Sequence, residues 1–157
     1  MKRGIARMTL VVVFAAVFAL GVVSRAQAQE CSNATLHGSF GYTSVGTLVS
    51  LPDAPVGPFA EVGRQTFDGN GKTQAAATVS ADGMILTATI DGTYTVKPDC
   101  TGSMTLTVTF PDGIGTAVVH ADFVIDEGGT EIRAIVTDQG AVESRIYKKQ
   151  FPKDDDQ

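Results

Sequence analysis

From Leu36 onward the chain alternates apolar and polar residues with period two rather than 3.6, and Gly or Pro beside Asp or Asn interrupts the pattern roughly every eight to fifteen residues. The clearest run is Met104-Thr105-Leu106-Thr107-Val108-Thr109-Phe110, with apolar side chains on one face and threonines on the other. Such alternation requires one buried and one wet face. The pattern predicts strands over 36–48, 59–67, 72–80, 84–96, 102–110, 114–125, 130–137 and 141–150, with a bulge expected at Asp91-Gly92 inside the fourth. The connections Asp68-Gly69-Asn70-Gly71, Ala81-Asp82-Gly83, Pro111-Asp112-Gly113, Asp126-Glu127-Gly128-Gly129 and Asp138-Gln139-Gly140 each supply a residue suited to φ > 0. Consecutive hairpins make an up-and-down meander. Eight antiparallel strands close most readily into a barrel, which removes exposed edges, so the expected fold is an all-β, eight-stranded up-and-down barrel. Leu51 to Pro58, with three prolines, reads as a longer loop at a barrel mouth.

The first 28 residues stand outside this pattern. Lys2, Arg3 and Arg7 precede an unbroken apolar run from Leu10 to Val23, and Ala26-Gln27-Ala28 offers a small-x-small cleavage site. That is the layout of a secretory signal peptide, with an apolar run short for a membrane span. The expected organisation is a signal peptide over 1–28, a barrel domain over 29–151 and a disordered acidic tail over 152–157. Removing Lys2, Arg3, Arg7 and Arg25 leaves eight basic residues against 17 acidic, a net charge of about −9. So acidic a surface repels phosphate backbones and anionic lipid heads, which argues against nucleic-acid or membrane-surface partners. A secreted or periplasmic protein with no membrane span after cleavage is the expectation.

Export places Cys31 and Cys100, the only cysteines, where thiols oxidise, so one disulfide between them is expected. A zinc site would need more ligands than these and the two histidines, His37 and His120, provide. No metal and no cofactor is expected. Asp68-x-Asn70-Gly71 resembles the start of a calcium loop but lacks the downstream acidic ligands, and reads as a hairpin turn. No Gly-x-Ser-x-Gly elbow occurs, and Gly69 and Gly71 precede a strand rather than a helix, so neither a serine hydrolase nor a phosphate loop is supported.

The segments Val62-Gly63-Arg64-Gln65-Thr66-Phe67-Asp68-Gly69-Asn70-Gly71, Gly92 to Ser103 and His120 to Arg133 resemble a family of exported bacterial proteins described as allene oxide cyclase barrel-like. The likeness spans Cys31 to about Gln150. It implies an eight-stranded calycin-like barrel, related in shape to plant allene oxide cyclases and dirigent proteins, and implies no activity. No catalytic residue of the plant cyclases carries over to a position here. The absence of Trp removes the Gly-x-Trp signature of lipocalins. A bacterial setting also makes the glycosylation sequon Asn33-Ala34-Thr35 a chance match.

A turn that pairs Val124 with Glu131 sets Asp122 opposite Arg133, and a turn centred on Gln139 sets Arg133 opposite Arg145. In that register the three share one face, with His120 and Glu143 beside Ile135. On the outside they form a charge ladder of modest value. Inside, Asp122 between two arginines would hold an anionic or carbonyl ligand, with His120 as acid or base. Glu61 has the same two readings, solvated or the interior carboxylate of a cavity. The other face offers Ala117, Ala121 and Ala134 beside Val119, Phe123, Ile132, Val136, Val142 and Ile146, with Phe40, Tyr42, Phe67 and Phe110 facing them. An eight-stranded interior is either filled or wide enough for one small ligand. The expected function is therefore an exported, non-enzymatic barrel that binds a small apolar ligand or acts as a stable envelope protein. The alternative is a cyclase-like isomerase acting on an oxidised lipid, and a homo-oligomer is a third expectation.

Overall fold

The computed structural model describes residues 30–50, 56–111 and 113–150; the expected signal peptide, the acidic tail and most of the proline-rich loop lie outside them. Eight strands, β1 (His37–Leu48), β2 (Gly57–Asp68), β3 (Lys72–Ala81), β4 (Met84–Val96), β5 (Thr101–Phe110), β6 (Gly115–Asp126), β7 (Glu131–Val136) and β8 (Ala141–Lys149), close into one barrel. Every neighbour pair is antiparallel and sequential, and β8 returns to β1. The only helical pieces among the described residues are single turns at Asn33–Thr35 and Glu127–Gly129. From β2 onward the connections are short, and each places a strand beside its predecessor.

The expected bulge at Asp91-Gly92 is absent. β4 keeps one unbroken register with both β3 and β5 through this point. Gly92 serves a different need: a Cβ there would lie 2.5 Å from the Thr105 carbonyl oxygen and 2.7 Å from Leu106 Cδ2, so the backbones approach too closely for a side chain.

One end of the barrel is closed by its own N-terminal segment. Leu36 is fully buried, and the turn before it is pinned by the Tyr94 hydroxyl, which donates to the carbonyls of Leu36 (2.9 Å) and Asn33 (3.1 Å). Asn33 Oδ1 accepts from the Val96 amide at 2.8 Å, so the sequon asparagine is part of this plug. Cys31 is bonded to Cys100, which clips the plug to the β4–β5 turn as expected from the two cysteines. Behind it, edge-on aromatic pairs fill the interior: Phe40 with Phe67 at 5.4 Å and Phe67 with Tyr94 at 5.1 Å between ring centroids. Phe67 also meets Tyr147 at 6.3 Å, and Leu106, Ile90 and Ile132 complete a core with almost no solvent exposure. Burying such side chains contributes about 1.5–3 kcal/mol each.

The other end is open in character. There the inward-facing Leu48, Phe59, Leu86, Phe110, Val119 and Ala141 are only half-buried, while Met84 and Ala117 are exposed. The barrel thus has large aromatics packed at its plugged end and a rim of mixed, partly exposed apolar residues at the other.

Candidate functional site

Register decides which polar residues the barrel encloses. β6 and β7 pair Val124 with Arg133 and Asp122 with Ile135, two residues away from the pairing the sequence suggests. The single helical turn at Glu127–Gly129, followed by Thr130, lengthens that connection. A shift of two preserves the face, so Asp122 and Arg133 stay together, on the outside. β7 and β8 pair Ala134, not Arg133, with Arg145. Their turn is the two-residue Gln139-Gly140, with Gly140 at φ 89° and the Ala141 amide donating to the Asp138 carbonyl, rather than a loop centred on Gln139. A slip of one residue sends every side chain of a strand to the opposite face.

The expected cluster is therefore divided by the barrel wall. His120, Asp122 and Arg133 face solvent, whereas Arg145 and Glu143 face inward. Val142 and Ile146, expected beside the interior alanines, are exposed instead, and so is Ala117 at the rim. The outer residues have partners of their own. His120 Nδ1 lies 2.8 Å from Asp138 Oδ1, and Arg133 reaches Glu131 (2.9 Å) and Asp126 (3.3 Å). Arg133 and Lys148 hold the Glu131 carboxyl below its ordinary range. Asp68 accepts hydrogen bonds from the amides of Asn70 and Lys72, the geometry of a hairpin turn rather than a calcium loop. No group of three or more His, Cys, Asp or Glu among the described residues is placed to hold a metal ion.

Inside, Glu61 proves to be the interior carboxylate, joined by residues that hydrophobicity alone misses. Cα pairing places Ser44 between Glu61 on β2 and Arg145 on β8. Arg145 is 2% exposed. Its Nε donates to Glu143 Oε1 at 2.5 Å, and its Nη2 lies 3.8 Å from Glu61 Oε2. The Ser44 hydroxyl donates to Glu143 at 2.6 Å, and the Tyr42 hydroxyl donates to Glu61. The Tyr42 ring lies 5.0 Å from that of Tyr147, which forms the floor of the cluster. Two buried polar atoms, Arg145 Nη1 and Gln65 Oε1, have no hydrogen-bond partner among the described residues.

The electrostatics follow from burial. Loss of water raises the Glu61 carboxyl, and this outweighs the downward pull of Arg145 and of the Tyr42 hydrogen bond. Burial and the Glu61 carboxylate likewise push the Tyr42 phenol far above its ordinary value. Burial opposes the Arg145 charge, yet Tyr147, Glu143 and Glu61 outweigh it and hold the guanidinium protonated. The cluster is a neutralised cation flanked by an acid that resists ionisation, able to donate hydrogen bonds and to hold a proton at Glu61.

Glu61 gives the fold a definite pH dependence. Its carboxyl is raised in the folded state, so the folded chain binds this proton more tightly than the unfolded chain. The resulting stabilisation is complete below the ordinary carboxyl value and is lost as pH rises through the interval up to the raised value. Glu61→Gln keeps an acceptor for Tyr42 and removes the loss. Urea unfolding from about pH 4 to 8 should show the variant gaining on the native protein as pH rises. A constant difference across that range would contradict the assignment.

Comparison with protein-family models, curated proteins and solved structures finds no match. Among the described residues no helix is long and apolar enough to cross a membrane.

Proposed function

We propose that this chain is an exported, non-enzymatic barrel that takes a small, mainly apolar, uncharged ligand at its open rim. The observation that carries this reading is the contrast between the two ends: inward-facing Leu48, Phe59, Leu86 and Phe110 keep part of their surface in water, while Leu36, Phe40, Phe67 and Tyr147 at the base have almost none. Half-wetted apolar side chains gathered around the barrel mouth favour an apolar guest. The polar cluster beneath adds selectivity, because Arg145 is already balanced by Glu143 and has no spare charge for a carboxylate. The disulfide is consistent with an oxidising compartment. The resemblance to the allene oxide cyclase barrel-like family supports the same shape of protein.

A titration with the neutral dye N-phenyl-1-naphthylamine tests the proposal. Fluorescence should rise to saturation and be insensitive to salt, since apolar burial is not screened. Met84→Lys and Leu86→Lys, which put a charge on the rim, should each weaken binding about tenfold or more. Absence of saturable binding, or binding indifferent to both substitutions, would refute it.

The grouping of Tyr42, Glu61 and Arg145 favours a second reading, an isomerase acting on an oxidised lipid with Glu61 as the acid that steers it. That reading requires turnover of a fatty-acid epoxide that Glu61→Gln abolishes.

A further inference from the structure

The outer wall formed by β8, β1 and β2 carries a patch that the rim proposal leaves unexplained. Cross-strand pairing arranges its outward residues in rows. One row is Ile146–Thr43–Val62, and the next towards the open end is Ser144–Val45–Ala60. Val45 is 59% exposed, Val62 57% and Ile146 47%. The row beyond is Val142–Thr47–Pro58, with Val142 66% exposed. Towards the plugged end the patch stops at Lys148–Gly41–Arg64. Between that border and the open end these strands present no charged outward side chain, in a chain whose formal net charge is −5.

We propose that this wall is the self-association face, and that two copies meet on it about a two-fold axis running across the strands between the Thr43 and Val45 rows. The rows themselves specify this arrangement. Such an axis lays each row on the other: Ile146 over the partner's Ser144, Val62 over the partner's Ala60 and Thr43 beside the partner's Val45. Ile146 and Val62 thus each meet a smaller side chain, Val45 meets one of its own size, and each contact occurs twice, as an isologous interface requires. One row further out, the aliphatic stem of Lys148 lies over the partner's Val142, and Thr47 lies over the partner's Gly41. An uncharged wall is where two acidic copies approach with least repulsion. A lipid surface fits it less well, because hydroxyls at Thr43, Thr47 and Ser144 interrupt the patch and no aromatic anchor stands on it.

Analytical ultracentrifugation of the exported, disulfide-bonded protein tests this. The native protein should sediment as a dimer. Val45→Asp and Val62→Asp, both at exposed positions, should weaken dimerisation at least tenfold while leaving the circular dichroism spectrum unchanged. Val118→Asp, an exposed position on β6, should leave the dimer intact. A native monomer, or a dimer that survives both Val45→Asp and Val62→Asp, would overturn the proposal. So would a monomer that co-sediments with phosphatidylcholine vesicles, since that would give the wall to a lipid surface.

Discussion

Replacing Arg145 by methionine is expected to destabilise the barrel by about 3–5 kcal/mol. The loss arises less from the attraction that disappears than from what remains. Glu143 loses the donor it meets at 2.5 Å and Glu61 loses the cation 3.8 Å away, so two carboxyls are left in an interior from which water is excluded. The same reasoning sets the rescue. Adding Glu61→Gln and Glu143→Gln to Arg145→Met removes both stranded carboxyls and should restore most of the stability, since a buried ionic group is costly chiefly when it is incomplete. Urea unfolding of the single and triple variants checks both statements. A loss below about 1 kcal/mol for Arg145→Met, the range of surface pairs, would mean that the guanidinium is not enclosed.

The disulfide is the second large contributor. Cys31 and Cys100 are separated by 69 residues, and closing a loop of that length in the unfolded chain corresponds to about 4 kcal/mol in the chain-entropy account. Its position adds a structural consequence, because it secures the segment that seats Leu36 in the end of the barrel and presents Asn33 to Tyr94 and Val96. The Cys31→Ala, Cys100→Ala double variant should lose roughly 10–20 °C in Tm, and its plug amides should exchange with solvent before those of the strands. A change of less than about 3 °C would show that the hydrogen bonds of the plug suffice without the bridge.

Much of the fold is legible in the sequence because each hairpin is a local decision. The Met104 to Phe110 alternation, the Gly-containing turns and the cysteine pair each act over a few residues or admit one solution, and the strands, their order and the disulfide follow from them. The interior site is less legible because it depends on turn length to within one residue. The connection after β6 could be misjudged by two residues and still leave Asp122 and Arg133 on the same face. The connection after β7 could not, since reading three residues where the hairpin uses Gln139-Gly140 turns Arg145 outward. Hydrophobicity reinforces that error, because in Ala141-Val142-Glu143-Ser144-Arg145-Ile146-Tyr147 the valine and isoleucine face water while the glutamate, arginine and tyrosine face inward. The useful signal lies elsewhere. Gly140 favours the tight two-residue hairpin, and Tyr147 shares its face with Glu143 and Arg145 and belongs with the aromatics of β1 and β2.

The placement of Arg145 inside the barrel is the point on which the interior cluster rests. Among the described residues there are three arginines, with Arg64 exposed, the Arg133 side chain 61% exposed and Arg145 2% exposed, so the protein contains its own controls. Modification by phenylglyoxal, followed by peptide mass spectrometry, measures each of them separately. In the folded protein Arg64 and Arg133 should react while Arg145 stays protected, and all three should react alike in denaturant. If Arg145 is modified in the native state as fast as Arg133, the inward face of β8 and the cluster built on it are wrong.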